Sequence, residues 1–570
     1  MIKEHLSVAA IQFEPQQFRK EENIQRLCAL VEEAARNGAQ LIVMPEMGTT
    51  GYCWMDREEV ADFVETVPGT TTARFTQLTA HYGCYLVLGM PEVDSVTDLY
   101  YNTAVLIGPE GVIGKHRKTH PYISEPKWAA NGDLGHQVFA TPIGNIALLI
   151  CMDIHFIETA RLACVQQADV ICHISNWLAE RTPAPYWINR AYENGCYLIE
   201  SNRWGAERGV QFSGGSCIID PDGNVQAWRD SGDGIVYGEL LPEVTLRPQL
   251  TRRRPELYKS LMTHTYMWNP LDFFRLYDKS PLPTGKRSRI AVAQFTPVSE
   301  VASNLTTITH WATAAAQAGV ELLTLPEYSL TGPYLSSESA MTQQHPAIHH
   351  LMALTARLRL YLVLGMAEKD DEGNCYNSAL LIGPDGLLGH YRQTHLSDAT
   401  RHWARAGDCW KTFDLPCGRV GILLGEDLLY PEAGRVLSMQ GCDIIACPAT
   451  LALPPSMPHP GTAVPHNFPI STAASDYHWL LPRVRAGENN VYLSYANADA
   501  SGLSGNFGPD TFAWPRQETL ITDAEGLALL DIDTSNLASG YPTNVVRRKD
   551  LVAMRQPHYY PLLITVAEAD

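Results

Sequence analysis

The stretch IALLICMDIHFIE, residues 146–158, returns later in the chain as VGILLGEDLLYPE, residues 420–432. Both begin with an apolar run that is typical of a buried strand. Both then carry an Asp and, further on, a Glu at matching positions. One position differs in kind, because Cys151 in the first stretch corresponds to Gly425 in the second. The chain therefore uses the same piece twice, once with a thiol and once with no side chain.

Matching segments flank this pair along the whole chain. They are LIVMPE (41–46) and LLTLPE (322–327), YLVLGMPE (85–92) and YLVLGMAE (361–368), YNTAVLIGPEGVIGKHRKTH (101–120) and YNSALLIGPDGLLGHYRQTH (376–395), RAYEN (190–194) and RAGEN (485–489), and more loosely RRRPELY (252–258) and VRRKDLV (546–552). A repeat of this length covers whole domains, so it indicates a tandem duplication rather than a solenoid. We predict a first domain at 1–285, including a C-terminal tail and linker, and a second at 286–570.

Composition narrows the class of protein. A chain of 570 residues is too long for one ordinary hydrophobic core, so at least two domains are expected. Its 43 Lys+Arg against 62 Asp+Glu give a net charge of −19. This balance argues against nucleic acid or an anionic membrane as a partner, since both bind basic surfaces. The 13 Cys are scattered, without a CxxC pair, so we expect reduced thiols in the cytoplasm. The start, MIKEHLSVAAIQF, lacks the apolar region of a signal peptide, and no apolar run approaches the ~18 residues of a membrane span.

Each copy alternates β-rich runs with helical patterns. Ile24, Leu27, Val31 and Ala34 follow helical spacing before Gly38, and the second copy repeats this pattern between Leu305 and Gly319. Strands mixed with helices indicate an α/β fold in which helices cover the sheets.

Three reactive side chains in the first copy lie at predicted strand ends: Glu46, Lys118 and Cys151. A Cys that begins a helix feels the positive end of the helix dipole, which favours the thiolate. A nearby Lys stabilises an oxyanion, and a carboxylate takes the thiol proton and later activates water. Together they suffice for acyl transfer through a thioester, with no metal and no cofactor. Singly, each also fits a structural role, as a buried hydrophobe, a solvated charge or a strand-end polar group.

The ordered set MPE, KHRKTH, CMD, RAYEN and SNRWG resembles the nitrilase superfamily of carbon–nitrogen hydrolases, once in each half of the chain. The resemblance implies two tandem four-layer αββα sandwich domains. It assigns Glu46 as general base, Lys118 as stabiliser of the tetrahedral intermediate and Cys151 as nucleophile, with Glu125, in SEPKW, as a further pocket carboxylate. The substrate-binding candidates are Tyr52, Met152 through its backbone N–H, Asn176 and Trp177.

The second copy departs from this pattern at the reactive positions. Glu46 corresponds to Glu327, which is kept, but Lys118, Glu125 and Cys151 correspond to Gln393, Thr400 and Gly425. A glycine cannot form a thioester, so we expect the second copy not to catalyse this reaction. We favour a structural role for it, with ligand binding in the vacated pocket as the alternative. Family members commonly pair through helices near the Cys, so we expect an intramolecular pseudo-dimer, and further homo-oligomers remain open.

The residues beside the nucleophile bear on the reaction. CMD resembles the amidase and carbamoylase branches of the superfamily, whereas true nitrilases usually read CWE. We therefore expect hydrolysis of a small carboxamide to an acid and ammonia. The alternatives are a nitrile or N-carbamoyl hydrolase, or a binding protein in which both copies are inert.

Other polar residues near the predicted site have less defined roles. His116, His120 and His155 are expected to be pocket-wall or surface residues, since the 19 His show no metal-ligand spacing. Arg203 and Trp204, in SNRWG, fit substrate contact and packing equally well.

Overall fold

The computed structural model describes residues 5–122, 124–178, 180–241, 248–264, 281–333, 338–453, 477–498, 503–510, 517–536 and 545–566. The chain forms two compact units. Unit 1 comprises Met1–Thr251 and Ser456–Leu480, and unit 2 comprises Arg252–Pro455 and Leu481–Asp570. Among the described residues, no helix has the length and apolar character needed to cross a membrane.

The strands of unit 1 are β1 (Leu6–Gln12), β2 (Leu41–Val43), β3 (Tyr85–Val93), β4 (Tyr100–Gly108), β5 (Gly111–Arg117), β6 (Val138–Thr141), β7 (Gly144–Ile150), β8 (Val170–Ser175), β9 (Tyr197–Asn202), β10 (Trp204–Glu207), β11 (Val210–Ser213), β12 (Cys217–Ile219), β13 (Val225–Trp228) and β14 (Gly234–Leu240). They form two six-stranded sheets, ordered β14-β1-β2-β3-β4-β5 and β13-β12-β9-β8-β7-β6, and a β10-β11 ribbon. Strands β1, β2 and β3 are parallel, as are β7, β8 and β9. The carboxyl ends of parallel neighbours meet at one edge of each sheet, which is where ligand sites form in such sheets.

The helices of unit 1 are α1 (Lys20–Arg36), α2 (Arg57–Val60), α3 (Thr70–Tyr82), α4 (Ile157–Val165), α5 (Pro185–Asn194) and α6 (Pro248–Thr251). The predicted apolar stripe of α1 is buried, and Gly38, with φ of 91°, follows the helix end. Helices α1 and α3 pack on the first sheet, and α4 packs on the second. The two sheets face each other, and Ser201 of β9 donates a hydrogen bond to the Ile11 carbonyl of β1. The layers therefore run helix, sheet, sheet, helix.

The strands of unit 2 are β15 (Arg287–Gln294), β16 (Leu322–Thr324), β17 (Tyr361–Lys369), β18 (Cys375–Gly383), β19 (Gly386–Arg392), β20 (Thr412–Leu415), β21 (Gly418–Ile422), β22 (Ile444–Ala449), β23 (Tyr492–Asn497), β24 (Ser504–Phe507), β25 (Glu518–Ile521) and β26 (Gly526–Asp533). Its helices are α7 (Val301–Gln317), α8 (Pro346–Leu358), α9 (Asp398–Arg401), α10 (Pro431–Met439), α11 (Leu481–Asn489) and α12 (Asp550–Ala553). The sheets are ordered β19-β18-β17-β16-β15-β26 and β20-β21-β22-β23-β24-β25.

Strand β15 shows how unit 2 builds its core. Ala291 and Ala293 join the cluster beneath α7 and α8, whereas Ile290 joins the cluster between the two sheets. Successive side chains point to opposite faces of a strand, so a strand covered on both faces is apolar throughout. The expected αββα domain is thus confirmed in both copies.

The compact units differ from the predicted division at 285/286 in two segments, because hydrogen bonding and packing rather than chain order decide where a segment belongs. Residues 252–264 group with unit 2, where Tyr258 OH bonds to His395 Nε2 at 2.5 Å and Trp410 Nε1 donates to the Leu257 carbonyl at 2.9 Å. Residues 477–480 group with unit 1, where Trp479 packs edge-on against Tyr192.

The loose match of 252–258 to 546–552 is corrected by local structure. The 3₁₀ turns Pro255–Leu257 and Lys259–Met262 recur as Pro557–Tyr559 and Pro561–Leu563. The sequence RRPELYKSL (253–261) therefore corresponds to RQPHYYPLL (555–563). In each, the tyrosine between the two turns bonds through its hydroxyl to the backbone N–H four residues before it.

Candidate active site

Four predicted residues of unit 1 meet at the ends of strands. Glu46 lies in the turn after β2, Lys118 directly follows β5, and Cys151 directly follows β7. Glu125 begins a 3₁₀ turn, Glu125–Lys127, in the loop after β5. All four side chains are buried.

Lys118 binds both carboxylates. Its Nζ donates to Glu46 Oε1 at 2.8 Å and to Glu125 Oε2 at 2.5 Å. Burial lowers the pKa of Lys118, but attraction to Glu125 and Glu46 outweighs burial and puts this pKa well above its ordinary value. The ammonium is therefore charged and fixed in position, as stabilising a developing oxyanion requires.

Asn102 and Tyr52 complete the hydrogen bonding of these carboxylates. Asn102 Nδ2 donates to Glu46 Oε1 at 2.7 Å and to Glu125 Oε1 at 2.8 Å. Tyr52 OH donates to Glu125 Oε2 at 2.9 Å. Tyr52 thus contacts Glu125, and its role in substrate binding stays a prediction. Sequence reasoning missed Asn102, although its repetition in YNTAVLIG and YNSALLIG is a signal that could have identified it.

Cys151 has left-handed backbone, with φ of 46°. This conformation is unfavourable for a residue with a Cβ and is found mainly where structure or function requires it. Cys151 begins a 3₁₀ turn, Cys151–His155, whereas helix α4 begins only at Ile157. The helix-dipole argument for a thiolate is therefore weaker than the sequence indicated.

The resting thiol is protonated. Burial raises the pKa of Cys151 well above its ordinary value, and Glu46 and Glu125 raise it further, while Lys118 and the Asn176 N–H oppose them. The expected thiolate is thus corrected to a thiol, because desolvation and two carboxylates outweigh one ammonium. Burial also raises the pKa of Glu46. A carboxylate of raised pKa beside a thiol is suited to accept its proton.

Asp153 joins the Cys151 turn to the Lys118 loop. Its carboxylate accepts from the Ile150 N–H at 3.1 Å, from Thr119 Oγ1 at 2.8 Å and from the His120 N–H at 3.0 Å. His116 Nε2 also lies 2.8 Å from it. Asp427 makes the matching contacts in unit 2, which indicates a structural role that does not depend on catalysis.

Asn176 links the second sheet to Glu46. Its backbone N–H donates to Glu46 Oε2 at 2.7 Å, and its Nδ2 donates to the Glu46 carbonyl at 3.0 Å. Trp177 is buried and stacks on His155, with ring centroids 4.8 Å apart. Met152 is buried at the second position of the Cys151 turn. Of the four substrate-binding candidates, Tyr52 therefore follows β2 as Glu46 does, Met152 lies in the Cys151 turn, and Asn176 and Trp177 directly follow β8.

The remaining polar candidates are buried within the fold. His116 and His120 bind Asp153, and burial lowers the pKa of His155 to about 3, so its ring is neutral. None of the three is a surface residue. Arg203 is buried, donates to Glu207 Oε2 at 2.6 Å and lies over the Phe212 ring, which favours packing over substrate contact.

At the equivalent site in unit 2, the neutral Gln393 replaces Lys118, so the described part of this site lacks the ammonium of unit 1. Asn377 Nδ2 donates to Glu327 Oε1 at 2.5 Å and to Gln393 Oε1 at 2.8 Å. Gln393 Nε2 donates to the Leu424 carbonyl at 2.9 Å. Burial raises the pKa of Glu327 to about 7, because no ammonium offsets the loss of hydration.

Gly425 occupies the position of Cys151 and has the same left-handed backbone, with φ of 52°. A Cβ at this position would lie 2.9 Å from Glu327 Oε1 and 3.0 Å from Gln393 Nε2. Glu327 and Thr400 both perturb the pKa of the buried Tyr328 hydroxyl, and Thr400 replaces Glu125. The vacated space is therefore narrowed by these side chains, which weakens the alternative that the second pocket binds a ligand.

Among the residues that the structure describes, no cluster of three or more His, Cys, Asp or Glu is arranged to hold a metal ion.

Comparison with known proteins places this site in a family. The Carbon-nitrogen hydrolase family model matches residues 7–245 and again residues 289–537. A nitrilase from Pyrococcus abyssi is 38% identical over 221 residues, which cover 39% of this chain and 83% of the relative. The omega-amidase NIT2 of Xenopus tropicalis is 30% identical over 259 residues, 42% of this chain and 92% of the relative. Among solved structures, Saccharomyces cerevisiae Nit3 is 26% identical with a TM-score of 0.39, covering 43% of this chain and 92% of that one. With two matches that together span most of its length, the chain belongs to the carbon–nitrogen hydrolase family.

Proposed function

We propose that unit 1 hydrolyses a small carboxamide to the carboxylic acid and ammonia through a thioester on Cys151. The observation that carries the proposal is the buried cluster in which Lys118 bridges Glu46 and Glu125 beside the thiol. The relative that is named an omega-amidase supports an amide substrate. The relative named a nitrilase keeps a nitrile as the second candidate.

In the acylation step, Glu46 accepts the thiol proton while Sγ attacks the amide carbon. The C=O electron pair moves to oxygen, and Lys118 and the Met152 N–H stabilise the resulting oxyanion. Collapse of this intermediate breaks the C–N bond, and Glu46 returns the proton to the leaving nitrogen, which departs as ammonia. Glu125, whose Oε2 lies 2.5 Å from Lys118 Nζ, holds the ammonium in place for the oxyanion.

In the deacylation step, Glu46 removes a proton from a water molecule, which attacks the thioester carbon. The second tetrahedral intermediate forms at the same position and is stabilised by the same donors. Its collapse breaks the C–S bond, releases the acid and returns the proton to Sγ. One carboxylate therefore serves as base and then as acid in each of the two steps, which a raised pKa for Glu46 supports.

We further propose that unit 2 performs no turnover and acts as a covalently attached partner of unit 1. The joint presence of Gln393, Thr400 and Gly425 supports the first part. The family resemblance, in which two domains pair through helices near the nucleophile, supports the second. A linked partner is present at high effective concentration, so the pairing needs no separate subunit.

The deciding experiment compares matched variants on one panel of amides, nitriles and N-carbamoyl compounds, with ammonia release as the readout. Cys151→Ala and Glu46→Gln should lower kcat by about 10⁴-fold or more. Glu327→Gln, the same change in unit 2, should leave kcat within about twofold of wild type. Ammonia from nitriles alone would replace the amidase proposal with a nitrilase one. Undiminished activity of Cys151→Ala would refute the mechanism, and equal losses from both Glu variants would refute an inert unit 2.

A further inference from the structure

A buried hydrogen-bonded pair lies behind the Cys151 turn and has no part in the mechanism above. His173 Nε2 is 3.0 Å from the Cys151 carbonyl oxygen, and its Nδ1 contacts the Glu200 carboxyl group. Ser175 Oγ contacts Glu200 in turn. His173, Ser175 and Glu200 are fully buried. A buried ionisable pair of this kind is expensive to desolvate, so its presence requires an explanation.

The strand registers identify the equivalent positions in unit 2. In unit 1, β8 places His173 beside Glu200 of β9. In unit 2, β22 places Cys447 beside Tyr495 of β23 in the same register. The pair is therefore present in the copy that carries Cys151 and is replaced in the copy that carries Gly425.

Residues kept in both units provide the contrast. Asn202 Oδ1 accepts from the Trp177 N–H at 2.8 Å, and Asn497 Oδ1 accepts from the Leu451 N–H at 2.9 Å at the matching place. This asparagine, like Asp153 and Asp427, serves the fold of both copies. The His173–Glu200 pair, by contrast, is present in unit 1 and replaced in unit 2, as Lys118 and Cys151 are.

The contact to Cys151 has a direct geometric consequence. The peptide group is planar and trans, so the Cys151 carbonyl and the Met152 N–H point in opposite directions within one rigid plane. A donor that holds the carbonyl oxygen therefore also fixes the direction of the Met152 N–H. Hydrogen bonds in series polarise one another, so the same contact makes this N–H a stronger donor.

We propose that His173, held by Glu200, is a positioning residue that aims the Met152 N–H at the oxyanion formed on Cys151. The inference deepens the proposed function, since it rests on a tetrahedral adduct at this thiol. In unit 2, where no adduct can form, selection for the pair would be absent, and Cys447 and Tyr495 occupy its place.

The protonation of the pair agrees with this role. A backbone carbonyl can only accept a hydrogen bond, so His173 Nε2 carries a proton whichever form the ring takes. Burial raises the pKa of Glu200, and its carboxyl group holds the ring through the contact to Nδ1. The ring is thereby fixed with Nε2–H directed at the Cys151 carbonyl.

Two thiol probes separate positioning of an oxyanion donor from general damage to the site. A small aldehyde such as propionaldehyde forms a hemithioacetal with Cys151: the S–C bond forms, the C=O electron pair moves to oxygen, and Glu46 takes the thiol proton, so that the adduct oxygen carries the negative charge. Iodoacetamide alkylates the same thiol by displacing iodide from a saturated carbon while Glu46 takes the thiol proton, and no oxyanion forms. Only the first reaction uses the Met152 N–H, and neither requires turnover.

The test uses the full chain with His173→Phe, which removes the donor, and His173→Gln, whose amide can reach the same carbonyl. We expect His173→Phe to weaken propionaldehyde binding by about 10- to 100-fold, a loss similar to that from one oxyanion donor, with the iodoacetamide rate within about twofold of wild type. His173→Gln should recover most of the aldehyde affinity. Cys447→Ala, the matched change in unit 2, should alter neither reaction.

Unchanged aldehyde affinity in His173→Phe would overturn the inference. So would parallel losses of aldehyde binding and alkylation in both His173 variants, because these would show only structural damage. Failure of the wild-type protein to hydrolyse any amide would count against the proposed function alone, since both probes report on Cys151 without turnover.

Discussion

Cys151 and Gly425 show, at the scale of one residue, what catalysis requires of the backbone. Both lie at the end of equivalent strands with φ near 50°. Glycine adopts this conformation without steric penalty, whereas a residue with a Cβ is disfavoured by roughly 1–2 kcal/mol. The first copy retains a strained cysteine because the turn presents its thiol. The second copy has no thiol to present, and it has the residue that the conformation favours.

This difference predicts opposite effects of substitution in the two copies. Cys151→Gly should be more stable than Cys151→Ala by about 1 kcal/mol, because only alanine keeps the strained Cβ, and both should be inactive. Gly425→Ala should lower the free energy of unfolding by at least about 1 kcal/mol, because its Cβ would also press on Glu327 and Gln393. Urea unfolding of the three variants measures this. A Gly425→Ala protein as stable as wild type would contradict the strain argument.

Glu327 predicts a pH dependence of stability. Its pKa is raised to about 7 in the folded protein from an ordinary value of 4.5, so the folded state binds the proton more tightly. The stabilisation by the bound proton is complete below pH 4.5 and is lost as the pH rises through 7. Since each pKa unit corresponds to about 1.4 kcal/mol, the free energy of unfolding changes by about 3 kcal/mol.

The measurement compares wild type with Glu327→Gln, whose amide does not titrate. Between pH 5 and 8 the wild-type free energy of unfolding should fall relative to that of the variant. Parallel curves across this range would show that Glu327 titrates normally. Gln393→Lys in the wild-type background should raise the free energy of unfolding at neutral pH, because an ammonium would stabilise the Glu327 carboxylate.

At the scale of elements, an aspartate in each unit joins the turn after one strand to the loop after another. Asp427 accepts from Tyr391 OH at 2.7 Å, Thr394 Oγ1 at 2.8 Å and the Leu424 N–H at 3.2 Å. Asp153 does the same between the Cys151 turn and the Lys118 loop. The distance between nucleophile and ammonium therefore depends on a residue that takes no part in the chemistry.

Asp427→Asn should lower the free energy of unfolding by about 2–4 kcal/mol, because an amide cannot accept all of the buried donors that the carboxylate accepts. It should leave the specific activity of the folded protein close to wild type. Asp153→Asn should lose similar stability and also lower kcat, since Lys118 would no longer be held against Cys151. Chemical denaturation and steady-state kinetics give both readouts. Equal activity losses in the two variants would contradict this assignment.

At the scale of the whole molecule, the second half of the sequence contributes to the first compact unit. His478 binds the Pro183 carbonyl, and Trp479, 6% exposed, packs on Tyr192 of α5. Residues 252–264 of the first half are in turn part of unit 2. The polypeptide is a duplication in sequence, but its compact units exchange segments.

Trp479→Ala should therefore destabilise unit 1 by about 3 kcal/mol, as for removal of other buried tryptophans. A fragment of residues 1–285 lacks this segment, and it should aggregate or self-associate. Thermal unfolding of the variant and light scattering of the fragment test the two statements. A soluble, monomeric and fully active fragment would refute both this dependence and the proposal that unit 2 is an attached partner.

The sequence by itself determined the duplication and an α/β class, because apolar periods of two or 3.6 residues define elements and the two copies provide an internal comparison. Its ordered motifs also carry the family resemblance, which implied the αββα sandwich and the candidate residues Glu46, Lys118, Glu125 and Cys151. Asn102 could have been found through the same internal comparison.

Only the tertiary structure decided that the Cys151 thiol is protonated and that side chains narrow the space at Gly425. It also decided to which compact unit residues 252–264 and 477–480 belong, and that His173 and Glu200 form a pair. Each depends on groups far apart in the chain, and sequence spacing does not report such distances. The thiol keeps its proton because burial and two carboxylates outweigh one ammonium. His173 and Glu200, 27 residues apart, become neighbours because parallel strands bring them into register. Burial and strand register are therefore what the fold adds to the sequence.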